Sequence, residues 1–210
     1  MEPEPVHIAI LAGGQSKRMG HNKALMRLGG KTLIEHVLNA AAPLSLPTFV
    51  IGKTKTYTHL GLPVYPDHHP DLGPIGGLYT ALVTALCPVL LLACDQPFLT
   101  PQFLHYILSR RGDHHALVPH TDEGSQPLCA LYESACLGVV ESAIATKSLS
   151  MRSLLRKIDL LTISTGDWQP YDEQGLLFAN LNTPEEFEQA QRRWKSLKSR
   201  ALNLRFFICL

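Results

Sequence analysis

No apolar stretch among the 210 residues reaches the roughly 20 needed to cross a bilayer as a helix. The opening Met1-Glu2-Pro3-Glu4-Pro5 has neither the basic nor the apolar part of a secretory leader, so a cytoplasmic location without membrane contact is expected. Net charge is almost absent, since 19 Lys and Arg against 18 Asp and Glu leave +1. Such a chain has no overall field to recruit nucleic acid or an anionic membrane, and any phosphate binding must be local. The five cysteines (Cys87, Cys94, Cys129, Cys136, Cys209) are odd in number, form no C-x-x-C pair and mostly sit in apolar runs. That pattern excludes a disulfide framework or a zinc knuckle in favour of buried free thiols. His68-His69 and His114-His115 lack the i, i+4 spacing of a helical metal site and read as loop histidines. No G-x-S-x-G elbow supplies a hydrolase nucleophile. Repeats and low-complexity segments are missing too, which excludes solenoids and linker arrays.

What is present suits one α/β domain with a sizeable core: 45% of residues are hydrophobic and 18% charged. The apolar run 6–11 leads into Leu11-Ala12-Gly13-Gly14-Gln15-Ser16-Lys17-Arg18-Met19-Gly20-His21-Asn22-Lys23. A buried strand that ends in paired glycines followed by cations delivers the chain into an anion-binding loop. Glycines admit close approach of a ligand to the backbone, and Arg18 and Lys23 add positive charge. Two familiar phosphate motifs fail by counting. A Walker loop needs Gly five residues before its Gly-Lys-Ser/Thr, but Gly30-Lys31-Thr32 has Leu25 there and Gly52-Lys53-Thr54 has Pro47. The dinucleotide fingerprint fails because the glycines fall at 13, 14 and 20. The choice is between a phosphate loop of another kind and an ordinary Gly-containing turn.

Along the chain, helical spacing over 32–42 predicts a helix ended by Pro43, and 48–51 and 62–65 read as short strands. Asp67 follows the second of these strands, ahead of the Gly/Pro-rich loop 71–77 and a helix over 78–86. Residues 88–94 form the most continuous apolar run, as expected of a central parallel strand buried on both faces, and the run ends in Asp95. Thr100-Pro101 caps a helix over 102–108. Strands are further expected over 116–119, 127–132, 159–163 and 176–181, and helices over 135–145 and 150–158. Thr183, Pro184 and Glu186 make a capping box for a last helix, so Asn180 and Asn182 are expected at a strand-to-helix junction. The alternation predicts a single-domain, doubly wound, Rossmann-like, mostly parallel sheet, with its ligand crevice at the carboxyl ends of the strands. Residues 1–195 would form the domain and 196–210 a basic, then apolar, tail without an assigned role.

Three further features carry chemistry beside a plainer reading. Asp95 is placed to hold Mg²⁺ together with substrate phosphates, or to serve as a loop or capping aspartate. Asp67 is a ligand-edge carboxylate or a turn residue beside Pro66. Asn180 and Asn182 are ligand amides or helix caps, and Thr183 already takes the cap position.

The pattern Leu-Ala-Gly-Gly-x-Ser-x-Arg-Met-Gly-x-x-Lys resembles the signature loop of nucleotidyltransferases, and within them of the molybdenum cofactor guanylyltransferases. Cys94-Asp95-Gln96-Pro97-Phe98, Asp67 with Gly73-Pro74-Ile75-Gly76-Gly77, and Asn180 to Glu186 resemble the family's other segments in the same order, so the likeness spans about residues 6–194. It implies transfer of GMP from Mg-GTP to molybdopterin, with pyrophosphate released. By the same resemblance Arg18, Lys23 and Asp95 would be catalytic, with Mg²⁺ on Asp95. Leu11, Ala12, Gly13, Gly14, Lys23, Asp67, Gly76, Gly77 and Asp95 would bind the nucleotide, and Asn180 and Asn182 the acceptor. The further partners it implies are other cofactor-biosynthesis proteins or apo-molybdoenzymes. The chain departs from the family at Asn22, where Asp is common, and at Gly52, where a base-contacting Asn is frequent. Residues 124–128 are candidates for the pterin side. The rival readings are a cytidylyl- or sugar-phosphate nucleotidyltransferase using the same loop, and a non-catalytic nucleotide-binding or adaptor protein.

Overall fold

The computed structural model of the chain describes residues 4–13, 22–181 and 183–208, from 197 onward by backbone alone. The strands are β1 His7–Leu11, β2 Arg27–Leu28, β3 Lys31–Thr32, β4 Thr48–Ile51, β5 Val64–Tyr65, β6 Val89–Ala93, β7 Ala116–Thr121, β8 Gly124–Ser125, β9 Cys129–Tyr132 and β10 Leu160–Ile163. The helices are α1 Leu33–Ala41, α2 Thr54–Tyr57, α3 Pro74–Ala85, α4 Pro101–Ser109, α5 Cys136–Ala145, α6 Met151–Leu155, α7 Thr165–Trp168 and α8 Pro184–Ile208.

The main sheet runs β10-β7-β9-β6-β1-β4-β5, with β8 folded back on β7. β1 is central, flanked in parallel by β4 and β6, and β9 runs antiparallel between β6 and β7. Both faces of the central strands are covered, so every residue of β6 is buried and the apolar sequence need not alternate. Ile8, Ile10, Leu90 and Leu92 pack on one face with Val37, Phe103 and Ile107 of α1 and α4. Ala9, Leu11, Val89 and Leu91 pack on the other with Leu78, Leu82 and Val140 of α3 and α5. In register, Leu11 pairs with both Ala93 and Ile51, and Ile51 with Tyr65. The loops that follow β1, β4, β5 and β6 therefore leave from one edge, as a doubly wound sheet requires of a ligand crevice.

Two expectations are corrected. Residues 176–181 form turns rather than a strand, because the Asp172 carboxylate accepts the Leu176 and Leu177 amides (2.8 and 3.1 Å) and Ala179 N–H bonds to Leu176 O. These three amides are taken up locally and are not available to build a ladder. The third helix begins inside the expected loop: Gly73, at φ +65°, turns the chain and Pro74 opens α3, so Gly76 and Gly77 lie in its first turn. The helix α8 continues through position 195 without a break. Among the described residues no helix is long and apolar enough to cross a membrane.

Candidate active site

β1 delivers the chain to Ala12 and Gly13 at the sheet edge, and the chain returns at Asn22, where Asn22 Oδ1 accepts Ala24 N–H (3.1 Å) and caps the 3-10 turn Lys23–Leu25. This turn aims Lys23 across the edge: its Nζ lies 2.7 Å from Asp95 Oδ2, in the turn that follows β6. The two side chains are 12% and 23% exposed, sheltered enough for the pairing to matter yet open to a ligand. Two residues 72 positions apart in sequence are thus joined because β1 and β6 are neighbours. Gly13 needs no special packing explanation, since among the described residues a Cβ there would meet only the Ile51 carbonyl at 3.9 Å. Its missing side chain leaves room in front of the backbone, which is what close ligand approach requires.

Asp67 is tied into a local network. Its Oδ1 accepts His69 N–H and the Thr80 hydroxyl, both at 2.9 Å, and Thr80 Oγ1 in turn accepts His68 N–H. The carboxylate therefore pins the turn after β5 to α3, the turn-residue arrangement. Gly76 and Gly77 direct their N–H groups back to Gly73 O, so what they contribute is closeness. A Cβ on Gly76 would run into the His69 carbonyl, and one on Gly77 would lie 2.9 Å from Leu11 Cδ2. This packing holds the start of α3 against the end of β1.

The last segment reaches the site through its backbone. Leu181 N–H bonds to Asp95 O at 3.3 Å, which brings the neighbouring Asn180 to the Asp95 turn. The expected capping box is present, with Thr183 Oγ1 accepting Glu186 N–H (3.2 Å) and Glu186 Oε2 accepting Thr183 N–H (2.9 Å). Thr183 thus fills the cap, and Asn180 is not needed for it. Gly14, Arg18 and Asn182 lie outside the described residues.

Sequence reasoning missed two groups. Tyr57 is buried, with its hydroxyl 2.8 Å from Ala12 O and 3.0 Å from Asn22 Nδ2. Burial pushes its phenol up to about 12. A lone tyrosine in a short polar segment gives no periodic signal that could have identified it. Gln96, beside Asp95, is buried against Gln126 (3.5 Å), and its Oε1 has no partner among the described residues. Gln126 belongs to the 124–128 segment and also donates to Thr121 Oγ1 at 3.2 Å.

Cys87, Cys129 and Cys136 are buried free thiols, as expected, and Cys94 is half-buried. Burial pushes the Cys94 thiol up to about 12, so it is no thiolate at neutral pH. Among the described residues no group of three or more His, Cys, Asp or Glu could hold a metal ion. A single accessible carboxylate does fit Mg²⁺, which takes most of its ligands from phosphate oxygens and water.

The fold has counterparts among solved structures. The chain superimposes on the 4-diphosphocytidyl-2C-methyl-D-erythritol synthase of Anaerococcus prevotii with a TM-score of 0.64 at 10% identity, over 91% of this chain and 99% of that one. The likeness is one of fold: a mostly parallel sheet between helices, with its loops at the carboxyl edge. The family follows from sequence: residues 8–162 match the MobA-like NTP transferase domain, and the chain belongs to that family. It is 31% identical over 191 residues to the molybdenum cofactor guanylyltransferase of Desulfosudis oleivorans, covering 89% of this chain and 95% of the relative. The crystal structure of molybdopterin-guanine dinucleotide biosynthesis protein A from Archaeoglobus fulgidus is similar with a TM-score of 0.79 at 26% identity, over 90% of this chain and 99% of that one.

Proposed function

We propose that the chain transfers GMP from GTP to the terminal phosphate of molybdopterin, releasing pyrophosphate. The observation that carries the reading is the Lys23–Asp95 pair, a cation and a carboxylate 2.7 Å apart between the Gly-rich loop after β1 and the turn after β6. In the reaction an acceptor phosphate oxygen forms a bond to the α-phosphorus as the bond from that phosphorus to the bridging oxygen breaks, and the electron pair leaves with pyrophosphate. The acceptor phosphate is already ionised, so no proton has to be removed and positioning carries the step. Lys23 shifts from Asp95 toward the triphosphate and offsets negative charge as it develops, and Arg18 adds to it from the same loop. Asp95 would hold Mg²⁺, which would supply charge neutralisation and polarisation of phosphoryl oxygens.

Ala12, Gly13 and Gly14 present backbone to the nucleotide, Leu11, Asp67, Gly76 and Gly77 frame it, and Asn180 and Asn182 meet the acceptor. The catalytic unit in this reading is residues 1–195, acting in the cytoplasm. The test is pyrophosphate release with Mg²⁺ and molybdenum-loaded pterin, comparing GTP, CTP, ATP and UTP. Release with GTP alone is expected. Preference for CTP moves the protein to the cytidylyl transferases, and GTP binding without turnover makes it a binding protein.

A further inference from the structure

We propose that Tyr57 and Asn22 act together as positioning residues that tie the end of β1 to the turn bearing Lys23 and set Lys23 for the reaction, a role that rests on the function proposed above. The hydrogen-bond arrangement has one consistent assignment. Asn22 Oδ1 must face Ala24 N–H, which it accepts at 3.1 Å, and this fixes which end of the amide is oxygen. The Nδ2 end then donates to Tyr57 Oη at 3.0 Å. That donation leaves the phenol proton for Ala12 O at 2.8 Å, a shorter approach than the 3.2 Å to Asn22 Oδ1.

One hydroxyl thus ties the residue where the chain leaves β1 to the residue where it returns, and the returning residue directly precedes Lys23. The cap that Asn22 provides is also the turn from which Lys23 reaches Asp95. Asp at position 22 could not take this part, because a carboxylate has no proton to donate to the phenol. It would claim the phenol proton instead and strip Ala12 O of its partner.

Gly52 belongs to the same arrangement. A Cβ there would sit 2.8 Å from Tyr57 Cε2 and 3.4 Å from the Ala12 carbonyl carbon, so the ring occupies the space a side chain would fill. Tyr57 is 1% exposed and acts through its neighbours rather than on substrate. Asn22 and Gly52 are therefore linked through one tyrosine.

The test is steady-state kinetics of pyrophosphate release from GTP by the full chain carrying Tyr57→Phe, Asn22→Ala, both together, or Gly52→Ala, with thermal unfolding alongside. Tyr57→Phe keeps the ring packed, so the fold should survive. Its kcat should fall about tenfold while KM for GTP moves less than about threefold, as expected when a catalytic cation is displaced without loss of ground-state binding. The double variant should lose no more than the worse single variant, since the two groups act as one. Gly52→Ala pushes the ring by a different route and should give the same split even if Tyr57→Phe were unstable. Unchanged kcat in a folded Tyr57→Phe protein overturns the proposal, and so does strict additivity in the double variant. Absence of GTP turnover by the unsubstituted chain removes the function reading first, and the positioning role with it.

Discussion

At the scale of single residues, the Lys23–Asp95 pair makes an asymmetric prediction. Each group compensates the other in the free protein, at 12% and 23% exposure. In the proposed reaction, replacing Lys23 by Ala removes the cation that would offset charge on the phosphates, an expected loss of about 10²–10³ in kcat by analogy with other preorganised electrostatic groups. Asp95→Ala should lower turnover at least as far, and raising Mg²⁺ should not restore it, because the carboxylate proposed to hold the ion is gone. Measuring kcat across a Mg²⁺ titration checks this, and full activity of Asp95→Ala would remove Asp95 from the metal role. Gly76 and Gly77 differ in a way the distances decide. An Ala at 77 meets the flexible tip of Leu11, whereas an Ala at 76 meets the His69 backbone carbonyl, which cannot swing aside. Urea unfolding should show Gly77→Ala costing about 1–3 kcal/mol and Gly76→Ala more.

At the scale of elements, α1 shows how a local signal survives into the fold. Thr32 and Glu35 form a capping box in which Glu35 Oε2 accepts Thr32 N–H at 2.6 Å and the Thr32 hydroxyl at 2.7 Å. The amide first and the hydroxyl second hold the Glu35 carboxyl below its ordinary value. A depressed folded value means the stabilisation is fully present above the unfolded value near 4.5 and is lost as pH falls through the folded one. Thr32→Ala should therefore destabilise by about 1 kcal/mol at pH 7, and the gap to the parent should narrow below pH ~4. Denaturation curves at pH 7 and 3.5 measure it.

Elements with local signals were legible in advance: the helical spacing of α1, the Thr100-Pro101 start of α4, the capping box of α8 and the unbroken apolar run of β6, whereas the Thr32–Glu35 cap of α1 was not read. Strand direction was not, because an apolar run such as 129–132 reads the same whether it pairs parallel or antiparallel. Residues 176–181 misled for a different reason. Their apolar content suggested a strand, but Leu176 and Leu181 are buried in a small cluster with Leu28, Leu33 and Phe98, Leu177 is buried in the main core, and Asp172 takes up the Leu176 and Leu177 amides. Asp95 was legible because a carboxylate ending a buried run is unusual chemistry. Its pairing with Lys23 depended on strand order, which no local pattern carries.

At the scale of the whole molecule, the carboxyl edge of the sheet is held from behind by α8. Trp194 packs against His36 (centroids 4.6 Å apart) and Phe98 (6.1 Å), and it lies over Gly29, whose φ of +65° and missing side chain let the indole approach. Phe98 sits three residues beyond Asp95, and α8 begins just after Leu181, whose amide bonds to Asp95 O. Docking of the helix and placement of Asn180 are therefore one mechanical unit that spans the chain from Gly29 to Trp194. Trp194→Ala removes the centre of that contact. Because the indole is half-buried, the loss should fall at or below the lower end of a buried Trp truncation, about 3 kcal/mol. If α8 only adds stability, the urea midpoint should drop while kcat and KM hold at temperatures where the variant stays folded. If it also sets the Asn180 turn against Asp95, KM for the pterin acceptor should rise in the folded variant while KM for GTP stays near that of the parent. The second outcome is expected, because the turn bearing Asn180 is bonded to the Asp95 backbone on one side and continues directly into the docked helix on the other.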